Sequence, residues 1–244
     1  MLEIYKKPDV SRSWSQTAYE KIYAGEGIRQ TDSFYLWLLK LMRIEAGQRL
    51  LDISCGEGSL VRLAKERGVT AYGADMSETA LLTAVHEART QQFAVGDAQD
   101  LPFADASFDY VANIGSLEHY LDPVKGILEI RRVLSPHGLA CILLPNVYSI
   151  VDNVWYAYRF GRTFQDVQPI QRYAARYDWQ DLLEANGLHV DKTVKYEREW
   201  PTQAGDWQVY LHHPKSLVKL LLTPLIPLNL ASCFVYLCRR RDRA

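Results

Sequence analysis

Residues 50–60, "LLDISCGEGSL", decide the fold. An apolar run ends in Asp52, and a Gly-x-Gly turn, Gly56 and Gly58, follows at once. That order describes a strand handing a small charged ligand to the start of a helix. Glycine turns after strands usually hold phosphates, yet the Asp52 carboxylate stands where a phosphate is least welcome. At an effective dielectric of about 20, two like charges in such a cleft repel by several kcal/mol.

Working outward, "VTAYGAD" reads as the next strand and Ser77 as the cap of a helix through "ETALLTAVHEA". "QFAVGDA" and "FDYVANIG" give a third and fourth strand, a helix runs from about Pro123 to Leu134, and "GLACILLPN" is a fifth strand. Short apolar strands alternating with helices predict a parallel sheet covered on both faces, with ligands beyond the carboxyl ends of the strands. Asp52, Asp75, Asp97 and Asn113 all fall at strand ends, so all four are expected to converge on one crevice.

The expected organisation is a single domain of three parts. Residues 1–47 form a helical cap, residues 48–146 a cofactor-binding core, and residues 147–177 and 199–230 lid or acceptor insertions. The segment 147–177 shows no clear strand. "DWQDLLEANGL" resumes as a helix, "HVDKTVKYERE" as a strand and "ASCFVYLCRR" as a last strand. Residues 217–238 have the length of a membrane span, but Pro224 and Pro227 break them, so an apolar helix, a turn and a buried strand are expected instead.

Composition narrows the function. The 244 residues are 48% hydrophobic, enough for a sizeable core, and 28 Lys plus Arg against 29 Asp plus Glu leave a net charge of -1. A near-neutral balance argues against nucleic acid as the main partner. Cys55, Cys141, Cys233 and Cys238 are scattered and suggest neither zinc nor a disulfide framework, and "MLEIYKKPDV" lacks the apolar core of a secretory signal. A cytoplasmic location is expected, with a peripheral membrane or lipid contact as a further expectation from the apolar 217–238 stretch.

Three ligand classes can be weighed at the turn. A dinucleotide needs a third glycine where Val61 stands, and a P-loop needs a G-K-[ST] that is absent. A cationic adenosyl ligand without phosphate suits Asp52, with Asp75 accepting from ribose hydroxyls and Asp97 and the Ala98 amide facing adenine.

In these motifs the chain resembles the class I S-adenosylmethionine-dependent methyltransferases, from "LLDISCGEGSL" through "AYGADMS" and "VGDAQDLPFADASFDYVANIGSLEHYLDP" to "EIRRVLSPHGLACILLPN". Four motifs in order cover roughly residues 49–146. The likeness is strongest to the branch that modifies small molecules such as quinone precursors, lipids and sugars. It implies an α/β, Rossmann-like, seven-stranded, mostly parallel sheet of order 3-2-1-4-5-7-6 with the last strand antiparallel, and S-adenosyl-L-methionine as cofactor. It implies Asp52, Ser54, Gly56, Gly58, Asp75, Met76, Asp97, Ala98, Asn113 and Ser116 as cofactor-binding residues. Ser54 stands where the family usually has glycine.

The acceptor is read less directly. His119, just past the fourth strand, is the candidate base, with a capping or packing role as the alternative. Glu118, His212 and His213 are weaker candidates. "NIGS" is unlike the [DN]-P-P-[YF] clamp of enzymes acting on exocyclic amines, and no clustered acidic ligands for a metal can be assembled. Metal-free transfer to an oxygen of a small acceptor is therefore expected. The greasy "NVWYAYRF" and "SLVKLLLTPLIPL" suggest a hydrophobic or carrier-linked acceptor, with Arg159, Arg162, Arg172 and Arg176 available for an acidic group. The protein is expected to be a monomer or homodimer. A non-catalytic cofactor-binding regulator and a nicotinamide-dependent oxidoreductase are the competing readings. Titration calorimetry separates the last of these: S-adenosylhomocysteine is expected to bind and NAD to give no heat, and the reverse result would remove the adenosyl reading.

Overall fold

The computed structural model describes residues 1–6, 11–212, 217 and 220–241, without the side chain of Val209. Its centre is a sheet built from β2 (Arg49–Ile53), β3 (Thr70–Asp75), β4 (Phe93–Val95), β5 (Phe108–Ile114), β6 (Leu134–Pro145), β8 (Leu188–Tyr196) and β9 (Cys233–Arg240). The spatial order is β4-β3-β2-β5-β6-β9-β8. Counting only these strands, that is 3-2-1-4-5-7-6. The pairs from β4 to β6 are parallel, whereas β9 runs antiparallel to both its neighbours.

The alternation of strand side chains divides the core in two. On one face Leu51, Ile53, Val111 and Ile142 meet Ile127 and Ile130 of α5 (Pro123–Val133) and Trp179 and Leu183 of α7 (Arg176–Ala185). On the other, Leu50, Ala71, Ala112 and Val235 meet Phe34, Leu38 and Met42 of α2 (Asp32–Met42) and Leu60, Val61 and Ala64 of α3 (Ser59–Lys65). Trp179 is fully buried and donates its indole N–H to the Pro145 carbonyl at 2.8 Å, fixing α7 against the end of β6.

Polar side chains dock the outer helices. Glu20 of α1 (Arg12–Tyr23) accepts from the Glu78 amide at 2.7 Å and the Thr79 amide at 3.2 Å, so it caps α4 (Glu78–Ala88) from outside. A carboxylate there answers the orphan N–H groups and the helix dipole. Asp206 of α8 (Ala204–His212) does the same for α2, accepting from Ser33 at 2.8 Å.

One finding departs from the sequence expectation. The aromatic segment after β6 was expected to lack a strand, yet Ile170–Tyr173 forms β7, paired antiparallel with β1 (Leu2–Tyr5). Four-residue strands whose partners lie across the whole chain leave no local signature, because periodicity reports only nearby order. The same segment holds a π-helical turn at Ile150–Val154 leading into α6 (Trp155–Phe160). The apolar stretch before β9 follows the expected order, helical at 217 and 220–222, turning through short 3-10 segments at Thr223–Leu225 and Leu228–Leu230, and entering the buried strand β9. His213 and part of "SLVKLLLTPLIPL" lie outside the described residues. Among those described, no helix is long and apolar enough to cross a membrane.

The small β1/β7 sheet is bolted to the main body by Arg172, which is 2% exposed. Its guanidinium donates to Glu3 at 2.7 Å, to the Glu118 carbonyl at 3.2 Å, to the Tyr120 carbonyl, and to Tyr5 Oη at 3.1 Å. Replacing it by methionine leaves those buried carbonyls without donors. The Arg172→Met protein is expected to lose about 3 kcal/mol of unfolding free energy in urea titrations. A loss under about 1 kcal/mol would show that water can take over these carbonyls.

Candidate active site

A cavity of about 290 Å³ opens at the carboxyl ends of β2, β3, β5 and β6. Its floor is Asp52, Ser54, Gly56, Asp75, Ile114 and Leu143, and α1 roofs it with Arg12, Ser15, Tyr19 and Tyr23. Asp166, Gln168, Arg172 and Tyr173 close one side. Tyr19 Oη donates to Gln168 Oε1 at 3.0 Å across the top, joining α1 to the approach to β7. Among the described residues, none of those lining the cavity belongs to 199–230.

The glycine turn is held by an acid from the neighbouring strand. Asp75 accepts from the Gly56 amide at 2.8 Å with one oxygen and from the Ser77 amide at 2.9 Å with the other. Each oxygen keeps a further lone pair for an incoming hydroxyl. Gly56 has φ +51, and a Cβ there would stand 2.6 Å from Tyr23 Oη, so both the conformation and the roof demand glycine. Ser54 adopts φ +59. A left-handed serine costs about 1 kcal/mol, offset by about as much from one hydrogen bond. Its hydroxyl sits 3.0 Å from Tyr120 Oη.

Asp52 is 4% exposed and lines the cavity, and among the described residues its carboxylate has no hydrogen-bond partner. Burial, with the negative charge of Asp75 nearby, holds it well above the usual carboxylate range. Asp75 is also raised by burial, although its backbone hydrogen bonds work against the shift. A buried, unpartnered acid in a cavity is a site waiting for a cation or a donor.

Seven of the residues expected to act, Asp52, Ser54, Gly56, Asp75, Met76, Ser116 and His119, line this one cavity. Four do not. Asn113 is fully buried beneath Tyr120, donating to its Oη at 2.6 Å and accepting from the Leu117 amide at 3.1 Å. It supports the loop rather than facing a ligand, which corrects the expectation that four strand-end residues converge. Asp97 is engaged by Arg12 at 3.2 Å and by the Gln99 amide at 2.9 Å, and Ala98 is buried beside it. It is Gln99 that reaches the cavity wall. Gly58, φ +73, is tight against Ala84 and Phe93, within 2.9 Å of a would-be Cβ, so it serves packing. Of the four arginines suggested for an acidic group, Arg172 is spent on the contacts above, Arg176 stacks over the Tyr177 ring at 4.3 Å, and Arg159 lies over Phe160 at 5.5 Å. Arg162, like Arg159, is exposed and outside the cavity wall.

Sequence reasoning missed Tyr120 as the hub of Ser54, Asn113 and Ser116, the last at 3.3 Å. A tyrosine one residue past the candidate base was its only local signal. Tyr19 and Tyr23 were missed as well, because only the fold brings them here, and Arg172, suggested for an acidic group, instead holds the main chain around His119.

His119 has its side chain 7% exposed, and its Nδ1 meets the Ile170 carbonyl. A carbonyl only accepts, so Nδ1 carries the proton and Nε2 keeps a lone pair. Burial lowers the imidazole below its ordinary value, which favours this neutral form.

The parallel sheet, the acid-held glycine turn and the crevice at the strand ends are arranged as in the class I S-adenosylmethionine-dependent methyltransferases. Residues 51–142 match the family described as a methyltransferase domain. The methyltransferase GfsG of Streptomyces halstedii is 32% identical over 191 residues, covering 73% of this chain and 65% of that protein. The O-methyltransferase resE of Aspergillus sclerotiorum is 34% identical, covering 59% and 56%. A demethylmenaquinone methyltransferase of Staphylococcus carnosus (strain TM300) is 32% identical, covering 52% and 55%. The chain thus spans less than two thirds of the length of these relatives. Among solved structures, a chain in the complex of the Haloferax volcanii Trm112 methyltransferase activator with a methyltransferase superposes with a TM-score of 0.67 at 18% identity, covering 92% of this chain and 98% of that one. The [4+2]-cyclase SpnF superposes at 0.63 and 20% identity, covering 87% and 82%, so the fold by itself does not name a reaction.

The family implies S-adenosyl-L-methionine, and the site fits it: an unpartnered acid for the ammonium, a second acid with spare lone pairs for the ribose, and a turn a Cβ would obstruct. An ammonium needs Asp52 ionised, so binding pulls its raised pKa down and releases a proton. Affinity for S-adenosylhomocysteine is therefore expected to weaken as pH falls through that raised value. Asp52→Asn should bind at least tenfold more weakly and with a flatter pH dependence, by calorimetry in buffers of different ionisation heat. Wild-type affinity and slope in that variant would remove Asp52 from the site.

Proposed function

We propose that the protein transfers a methyl group from S-adenosylmethionine to an oxygen of a small, hydrophobic or carrier-linked acceptor, with His119 as the base. The observation that carries this reading is the pinned imidazole. With Nδ1 bound to the Ile170 carbonyl, the free lone pair of Nε2 belongs to the same cavity as Asp52 and Asp75.

When bound, the cofactor supplies an electrophilic methyl on a sulfonium. The chain's own residues then have three tasks. Asp52 and Asp75 anchor the methionyl and ribose ends, fixing the cofactor while the Gly56 turn lies against it. Tyr19, Tyr23 and Gln168 roof the cavity and keep water out, which strengthens every polar contact inside. His119 Nε2 takes the proton of the acceptor hydroxyl as the oxygen attacks. Alignment of acceptor and cofactor supplies most of the acceleration, and a positioned base adds roughly 10²–10⁴-fold.

The acceptor's character is supported by the surroundings. Phe34, Tyr35, Tyr173 and Tyr196 line the cavity with rings. Outside it, Trp155, Tyr158 and Phe160 of α6 are exposed, Tyr158 to 89%. Relatives named as an O-methyltransferase and a demethylmenaquinone methyltransferase support a small-molecule acceptor.

The test uses labelled methyl transfer from S-adenosylmethionine into lipid-soluble metabolites. His119→Ala is expected to lower kcat at least a hundredfold while S-adenosylhomocysteine affinity stays within twofold. Wild-type kcat should fall with decreasing pH through a value below that of ordinary imidazole, as His119 becomes protonated. Unchanged turnover in the variant would take His119 out of the reaction.

A further inference from the structure

The turn Leu117–His119 carries a second buried titratable group that the proposed mechanism leaves idle. The Glu118 side chain is 7% exposed and lines the cavity. Its Oε2 is buried with no hydrogen-bond partner among the described residues. Its Oε1 stands 3.7 Å from His119 Nε2, too far for a hydrogen bond between them. Two neighbouring polar groups therefore share the cavity, and neither is satisfied by the other.

The setting fixes this carboxyl without neutralising it. Arg172 of β7 holds the Glu118 carbonyl, but its guanidinium pairs with Glu3 and main-chain oxygens rather than with the Glu118 carboxylate. Asp166, before β7, adds a negative charge nearby; the other titratable groups around are His119, Tyr19 of α1 and Tyr173 of β7. Burial, with Asp166, pushes Glu118 up to about 8, with Arg172 and backbone donation pulling the other way. At neutral pH it is a protonated acid, able to donate.

We propose that Glu118 selects the acceptor by hydrogen bonding to a second oxygen, adjacent to the one His119 deprotonates, so that the acceptor class carries oxygens on neighbouring carbons. This rests on His119 facing the acceptor. The 3.7 Å gap suits such a pair, because each oxygen can reach one group with an ordinary hydrogen bond. An acceptor with a single hydroxyl satisfies His119 and leaves the Glu118 acid buried and unpaired. Sites built to bond a substrate oxygen reject analogues lacking it for this reason.

The experiment first titrates S-adenosylhomocysteine into wild type, Glu118→Gln and Glu118→Leu, then titrates catechol, resorcinol and phenol into each saturated protein at pH 7. Wild type is expected to bind catechol at least tenfold more tightly than resorcinol or phenol. Glu118→Gln, which keeps a donor, should retain the preference; Glu118→Leu should lose it with S-adenosylhomocysteine affinity unchanged. Equal affinities for the three phenols in wild type, undetectable binding of all three, or a preference surviving in Glu118→Leu each overturn the proposal. The wild-type comparison stands even where a variant fails to fold. Absence of S-adenosylhomocysteine binding in wild type overturns the methyltransferase reading as well, which separates the two failures.

Discussion

The site depends on one carboxylate. Asp75, at the end of β3, accepts the Gly56 amide from the turn after β2 and the Ser77 amide that starts α4. These bonds join two strand exits that the parallel pairing alone would leave side by side but unlinked. They hold the turn in its left-handed geometry, bring Gly56 under Tyr23, and set Asp52 and Asp75 in one desolvated space. The cost appears as two neighbouring acids whose ionisation is suppressed. A cation entering this space relieves that cost, so the fold and the ligand preference follow from the same constraint.

A second centre lies after β5. Tyr120 gathers Ser54, Ser116 and Asn113, while Arg172 holds the main chain on either side of His119 from the opposite element. The imidazole is then oriented by the Ile170 carbonyl, two residues before Arg172. β7 thus acts as a splint for the short turn that carries both His119 and Glu118. A 3-10 turn of three residues has little stability of its own, and its precision here is borrowed from the strand beside it.

The sheet was legible because its signals are local. Alternating apolar strands and helices, glycine turns and strand-end acids each lie within a few residues and predict a parallel sheet; the observed order, including the antiparallel β9, is the one the family resemblance implies. Asp52, Asp75 and Gly56 were legible for the same reason. What was not legible depends on distant pairing. Asn113 ends a strand as the acids do, but it points under Tyr120, which only the path of the following turn decides. Asp97 also ends near the crevice, and its engagement by Arg12 needs α1 in place. β1 and β7 were invisible because neither four-residue segment has meaning without the other.

That small sheet has a dynamic consequence. It shares no ladder with the seven-stranded sheet and is joined by only four paired positions. Buried β7 and the Arg172 contacts fasten it to the body, so opening it breaks those contacts but no bond of the central ladder. Because β1 leads toward α1 and β7 follows Gln168, such an opening parts the Tyr19–Gln168 bond over the cavity.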